Sequence, residues 1–280
     1  MELLYSLMDT CLPFAWAHHG FMKNAFLAVL LVMPLFGLLS TMVVSNRMAF
    51  FSDSLGHGAF TGIALGALLG AVSPLCSLIA FSVLFSLFIT YIKNKSSAST
   101  DTVIGVFSSL AIALGLMLMS RGGSFNKFSS YLVGDILSIT PEDLGVLLLV
   151  FLLVLLMWSL LFNRLLVLSI NPSFARSRGI NSFLAESLFA ATLAVVVSIS
   201  IQWVGILIIN AMLVLPGAAA RNISDSVKQY HLLSVLIAWL AGMAGLILAY
   251  YFNMAAGATI VVISSGFFFL TLLLKPYLLR

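Results

Sequence analysis

Nine apolar runs recur along this chain, at roughly 24–45, 50–70, 74–92, 102–120, 143–163, 183–201, 204–220, 231–252 and 257–275. Each approaches the ~20 residues that a helix needs to cross a bilayer. Lipid offers the backbone no hydrogen bonds, so only helices and closed barrels span it, and barrel strands would alternate apolar and polar residues over about ten positions. These runs do not alternate. The expected fold is therefore all-α: a polytopic membrane protein of about nine transmembrane helices, eight to ten, forming one transmembrane domain over residues 1–280. Charge content agrees, because 8% of the residues are charged, against about 25% in a soluble domain.

The start of the chain differs from the rest. Residues 1–22, with Pro13, Trp16, His18 and His19, read as an interfacial or re-entrant segment. Neighbouring residues on a helix point about 100° apart, so the two histidines read as an interfacial pair before a metal site. Glu2 and Asp9 replace the basic region of a cleavable signal peptide. Cys11 and Cys76 are too few for a disulfide framework and are expected in packing. No basic run with interleaved aromatics supports nucleic-acid binding.

Basic residues orient the spans. With the 163–182 loop in the cytoplasm, Arg47, Lys93, Lys95, Arg164, Arg176, Arg178, Arg221, Lys228, Lys275 and Arg280 lie inside. Lys23, Arg121 and Lys127 lie outside, so the 13 basic residues divide ten to three. The positive-inside rule then places the C-terminus in the cytoplasm and the N-terminus outside, unless a further pass near residue 15 moves the latter.

Against this apolar background, the span RMAFFSDSLGHGAFTGIALGALLG at 47–70 carries two ionisable groups, Asp53 and His57. Four residues apart on a helix, they leave the same face one turn apart. A carboxylate near the membrane centre costs roughly 2.5–3.5 kcal/mol even on lenient scales, so it is expected to face protein or water. Gly58, Gly62, Gly66 and Gly70 form a four-residue ridge that admits a close helix neighbour. Imidazole nitrogen and carboxylate oxygen are ligands for zinc and other first-row divalent ions. Two ligands suit a path, which must release what it binds; water, Asn210 or Asp135 are candidates to complete the shell. A buried Asp–His pair that holds helices together stands as the alternative.

Two connections are more than turns. Residues 121–143 are amphipathic and fall outside, either covering a path mouth, receiving a partner or lying as a surface helix. On the other side, LSINPSFARSRGINSFLAE at 168–186 places Asn171-Pro172 before an apolar spot at Phe174 and Ala175, with Gly179 as the stop. A short stiff helix there suits docking into another protein's groove, and a plain solvated loop is the alternative. Glu186 is expected to pair with Arg176 or Arg178.

What is absent narrows the chemistry. The chain has no G-x-x-x-x-G-K-[ST] phosphate loop, so ATP hydrolysis would sit on another chain. It has no H-E-x-x-H or H-x-x-E-H motif either. A transport subunit, not an enzyme, is expected.

Four stretches carry a resemblance: RMAFFSDSLGHGAFTGIALG, YLVGDILSITPEDL, NPSFARSRG and WVGILIINAMLVLPGAAAR, ordered between residues 47 and 221. They resemble motifs of metal-ion ABC importer permeases, most closely the zinc-uptake branch. The resemblance implies an ABC permease fold in a bacterial plasma membrane and a homodimer. It also implies a cytoplasmic ABC ATPase and an extracytoplasmic metal-binding protein as partners. Its cargo would be a divalent metal ion, zinc first and manganese or iron next, with no permanently bound cofactor. Asp53 and His57 correspond to the family's metal path. Asn171, Pro172, Phe174, Ala175, Arg176 and Gly179 fall on its ATPase-coupling helix. Gly56 and Gly58 stand where alanine and serine are usual, which loosens the helix by about 1 kcal/mol per glycine. A self-sufficient proton-coupled carrier and a purely structural scaffold are the readings from other classes.

Overall fold

Every apolar run of the sequence becomes a helix over its described residues. The computed structural model describes residues 5–6, 8–9, 14–69, 74–122 and 134–278. A 3-10 turn at Ala15–His18 leads into α1 (Gly20–Ser45), α2 (Ala49–Leu69), α3 (Pro74–Lys95) and α4 (Thr100–Gly122). A second 3-10 turn, Ile136–Ser138, precedes α5 (Pro141–Ile170), the short α6 (Pro172–Ser177) and α7 (Ser182–Val204). The chain ends with α8 (Ile206–Arg221), α9 (Val227–Phe252) and α10 (Ala256–Leu278). Among the described residues there is no strand, and seven helices are long and apolar enough to cross a bilayer: α1, α3, α4, α5, α7, α9 and α10. The other two expected spans are α2, which carries Asp53 and His57, and α8, which is 16 residues long.

Three helices end in the same way. At the end of α1, Met48 N–H donates to Val43 C=O at 2.8 Å and Arg47 N–H to Val44 C=O, with Arg47 at φ 56°. This is a Schellman motif, which satisfies carbonyls that the helix end leaves free. At the end of α6, Ile180 N–H reaches Ala175 C=O and Gly179 sits at φ 73°. At the end of α9, Met254 N–H reaches Ala249 C=O across Asn253 at φ 52°. The start of α5 uses a capping box: Thr140 N–H donates to Asp143 Oδ2, and Asp143 N–H donates to Thr140 Oγ1.

The described residues group into two compact units, and each is described by itself. The first comprises 1–41, 133–153 and 203–280. Here α9 presents a face of small residues to its neighbours. A Cβ on Gly37 would stand 2.7 Å from Ser234 O and Val235 Cα, and Ser234 Oγ donates to Gly37 C=O at 2.5 Å. Tyr230 Oη donates to Thr41 C=O at 3.2 Å. Close approach of backbones through small residues and side-chain hydroxyls is how membrane helices gain packing without a hydrophobic driving force. Pro216 interrupts the hydrogen-bond ladder of α8, and Ser40 from α1 is inserted beside the break. Its hydroxyl accepts from Gly217 N–H at 2.8 Å and donates to Val214 C=O at 3.2 Å. At the other end of the unit, Lys23 is buried and pairs with Asp9 at 2.6 Å, while Asn24 Nδ2 donates to Ile139 C=O at 3.0 Å.

The second unit comprises 42–132 and 154–202. In it α2 packs between α3 and α4. Thr61 Oγ1 donates to Ala111 C=O at 2.5 Å, and Phe107 of α4 meets Phe85 and Phe88 of α3 edge to face. The α7 side is joined to α3 by Lys93 Nζ and Glu186 Oε2 at 3.0 Å.

Several expectations change. The α7–α8 break falls at Gly205, not at Gln202-Trp203. Both of those residues remain helical, and the reversal needs φ 87°, which a residue with a Cβ rarely adopts. Glu186 pairs with Lys93 instead of Arg176 or Arg178, because the first turn of α7 lies beside the last turn of α3. Cys76 is exposed, so it is not a buried packing residue. Of the 121–143 connection, 123–133 lies outside the described residues, as do Cys11 and Gly70. The part at 134–140 forms a 3-10 turn, not a longer surface helix.

Candidate functional site

The geometry around Asp53 follows from two local features. The Schellman turn at Arg47 restarts the chain as α2 at Ala49, which brings Asp53 and His57 into its second and third turns. The glycine ridge then fixes which way they face. A Cβ on Gly58 would lie 3.1 Å from the Phe85 ring, and one on Gly62 would lie 3.1 Å from Leu78 Cα and Phe81 Cβ. A Cβ at either position would press α3 back by a few tenths of an ångström, so the glycines favour this close approach. That seam takes one side of α2, and Asp53 and His57 are left on a part-open side with the exposed Phe50.

His57 Nε2 and Asp53 Oδ2 stand 3.6 Å apart, and the side chains are 29% and 40% exposed. A hydrogen bond would close to about 2.7–3.2 Å, so the pair is adjacent without being locked to itself. A tetrahedral ion held at about 2.0–2.1 Å by both atoms would set them about 3.4 Å apart. An octahedral ion at similar bond lengths would set them about 2.9 Å apart. The spacing is therefore one at which the two atoms could hold a single ion from one side. No cluster of three or more His, Cys, Asp and Glu residues forms among the described residues. Asp135 spends its carboxylate on Leu137 N–H as the cap of the 3-10 turn, at 3.0 Å. Asn210 is half-buried on α8. Both belong to the first unit, and Asp53 and His57 belong to the second.

The short helix expected at 171–179 forms as the residues foretell. Asn171 caps α6 through Phe174 N–H at 3.0 Å, Pro172 takes the first helical position, and Gly179 supplies the left-handed stop. Ala175 is fully buried and anchors the helix from beneath. Phe174 stays exposed under the Arg178 guanidinium, 5.2 Å from the ring centre. Arg176 and Pro172 line a cavity of about 460 Å³ shared with Asn46, Asn94, Asn181 and Glu186. Sequence reasoning missed the Lys93–Glu186 bridge and the Ser40 insertion. Each joins residues far apart in the chain, and no local pattern marks either.

Known proteins agree with this arrangement along nearly the whole chain. The profile of the ABC 3 transport family matches residues 18–275. The manganese import system permease protein ScaB of Streptococcus gordonii is 32% identical over 91% of this chain and 92% of its own length. The high-affinity zinc uptake system membrane protein ZnuB of Buchnera aphidicola is 29% identical over 84% of this chain and 90% of its own. A solved structure of PsaBC from Streptococcus pneumoniae in complex with Fab superposes with a TM-score of 0.80 at 29% identity, covering 97% of this chain and 95% of that one. With a family profile that runs almost end to end, the chain belongs to the ABC 3 transport family of metal-ion ABC permeases.

Proposed function

We propose that this permease is the membrane subunit of an ATP-driven importer and passes a divalent metal ion along Asp53 and His57. The observation that carries the reading is the part-exposed pair itself, two potential metal-ligand atoms 3.6 Å apart on α2. A carboxylate 40% exposed there would be costly against lipid, by roughly 2.5–3.5 kcal/mol. A second copy of the chain about a two-fold axis would cover that face and contribute another Asp53 and His57, turning two ligands into four. The homodimer of the family reading follows this logic. Energy would come from a separate cytoplasmic ATPase seated on α6, since the sequence lacks a phosphate loop. An extracytoplasmic binding protein would deliver the ion to a plasma-membrane complex.

Zinc is the first reading for the cargo, supported by the imidazole and by a ligand separation nearer the tetrahedral value. Manganese is the second, favoured by the similarity to ScaB. The test is uptake of radioactive zinc by the complex reconstituted with its ATPase and binding protein, with manganese and iron as competitors. Asp53→Ala and His57→Ala each bring uptake to background while the complex still assembles. Unchanged uptake in both variants would remove their role, and transport of manganese in preference to zinc would reverse the cargo.

A further inference from the structure

The second unit contains a continuous connection between the proposed docking helix and the proposed metal ligands, and it passes through a polar bridge. It begins at α6, whose Arg176 and Pro172 line the 460 Å³ cavity together with Asn94 and Glu186. Protein interiors transmit displacement because they are close-packed, and a cavity of this size removes that contact. The start of α7 is joined to the end of α3 by a set of side chains. Glu186 Oε2, on the first turns of α7, receives Lys93 Nζ at 3.0 Å and Asn94 Nδ2 at 3.2 Å from the end of α3. Phe183 meets Tyr91 edge to face at 6.4 Å just beside them.

Beyond the bridge the connection is close-packed. Phe85 and Phe81, on the same helix as Lys93, press on Gly58, next to His57, and on Gly62, one turn further along the same helix. Phe85 also stacks on Phe81 of its own helix and meets Phe107 of α4 edge to face, so the same ring side of α3 packs against both α2 and α4. A displacement of the α6–α7 corner therefore reaches α3 through Glu186 and reaches α2 through the glycine seam.

We propose that Glu186, held by Lys93 and Asn94, is a positioning residue that couples movement of α6 to the orientation of Asp53 and His57. The bridge is a quarter exposed on each side, so its worth to stability alone is small, and its role lies in transmission. This inference rests on the proposed import function.

The test uses the full complex of permease, ATPase and binding protein in liposomes, and reads metal transported per ATP hydrolysed. Glu186→Gln and Lys93→Met each keep ATPase association and hydrolysis, while the metal-to-ATP ratio falls about threefold to tenfold, the scale of coupling carried by residues that touch neither ligand. The exchanged pair, Lys93→Glu with Glu186→Lys, restores the ratio. Unaltered ratios in both single variants, or an exchanged pair no better than either, would overturn the proposal. Loss of ATPase association in Glu186→Gln would overturn it too, by making the bridge a support for docking. Failure of the unaltered complex to import metal with ATP would instead refute the import reading itself.

Discussion

Ser40 shows how much of this protein depends on single side chains that no local pattern marks. Pro216 lacks an N–H and breaks the α8 ladder, and the Ser40 hydroxyl binds Gly217 N–H and Val214 C=O on either side of it. Ser40→Ala leaves a buried N–H without its acceptor, which costs about 1–3 kcal/mol, and lowers the thermal unfolding midpoint in detergent. Gly217→Ala is expected to cost more, since the new Cβ would stand 2.6 Å from Ser40 Oγ and 2.8 Å from its backbone oxygen. Equal midpoints for both variants and the unaltered protein would show that the insertion does not hold α1 to α8. Asp53 and His57 were legible for the opposite reason. Ionisable groups four residues apart in an apolar span announce themselves by their cost, whereas a serine in a helix interior costs nothing that a sequence displays.

Elements were legible wherever a cap or a breaker carries a chemical signature. Asn171-Pro172 and Gly179 predicted α6 closely, because the side-chain cap, the fixed proline φ and the glycine stop are each local. Thr140 to Asp143 marks the start of α5 in the same way. The α7–α8 reversal was misplaced because Gln202 and Trp203 look like a turn by polarity, while the backbone turns where φ can be positive. At this scale the exposed tip of α6 carries a prediction. Phe174→Ala and Arg176→Ala raise ATP hydrolysis without metal uptake, or weaken co-purification of the ATPase. Variants that change neither would separate α6 from ATPase docking.

At the scale of the whole molecule, the nine apolar runs were read from the sequence because hydrophobic length is a property of the chain alone. The grouping of helices into two units was not, since it depends on which small-residue faces meet. Orientation also stays a matter of charge. With ten of 13 basic residues assigned to one side, a C-terminal green fluorescent fusion is expected to fluoresce in the cytoplasm, and an active alkaline phosphatase fusion at the same end would invert the topology. A last consequence comes from the length of α8. Its 16 residues rise about 24 Å, short of the ~30 Å hydrocarbon layer. If Arg221 snorkels to the headgroups at one end, the Gly205 end stops below the opposite surface, where an unwound backbone needs cover. Gly134, at φ 70°, lies directly against Gly205 and Val204, so closely that a Cβ on Gly134 would collide with their backbone. A side chain at Gly134 is therefore expected to push this backbone apart and to uncover peptide groups at the start of α8.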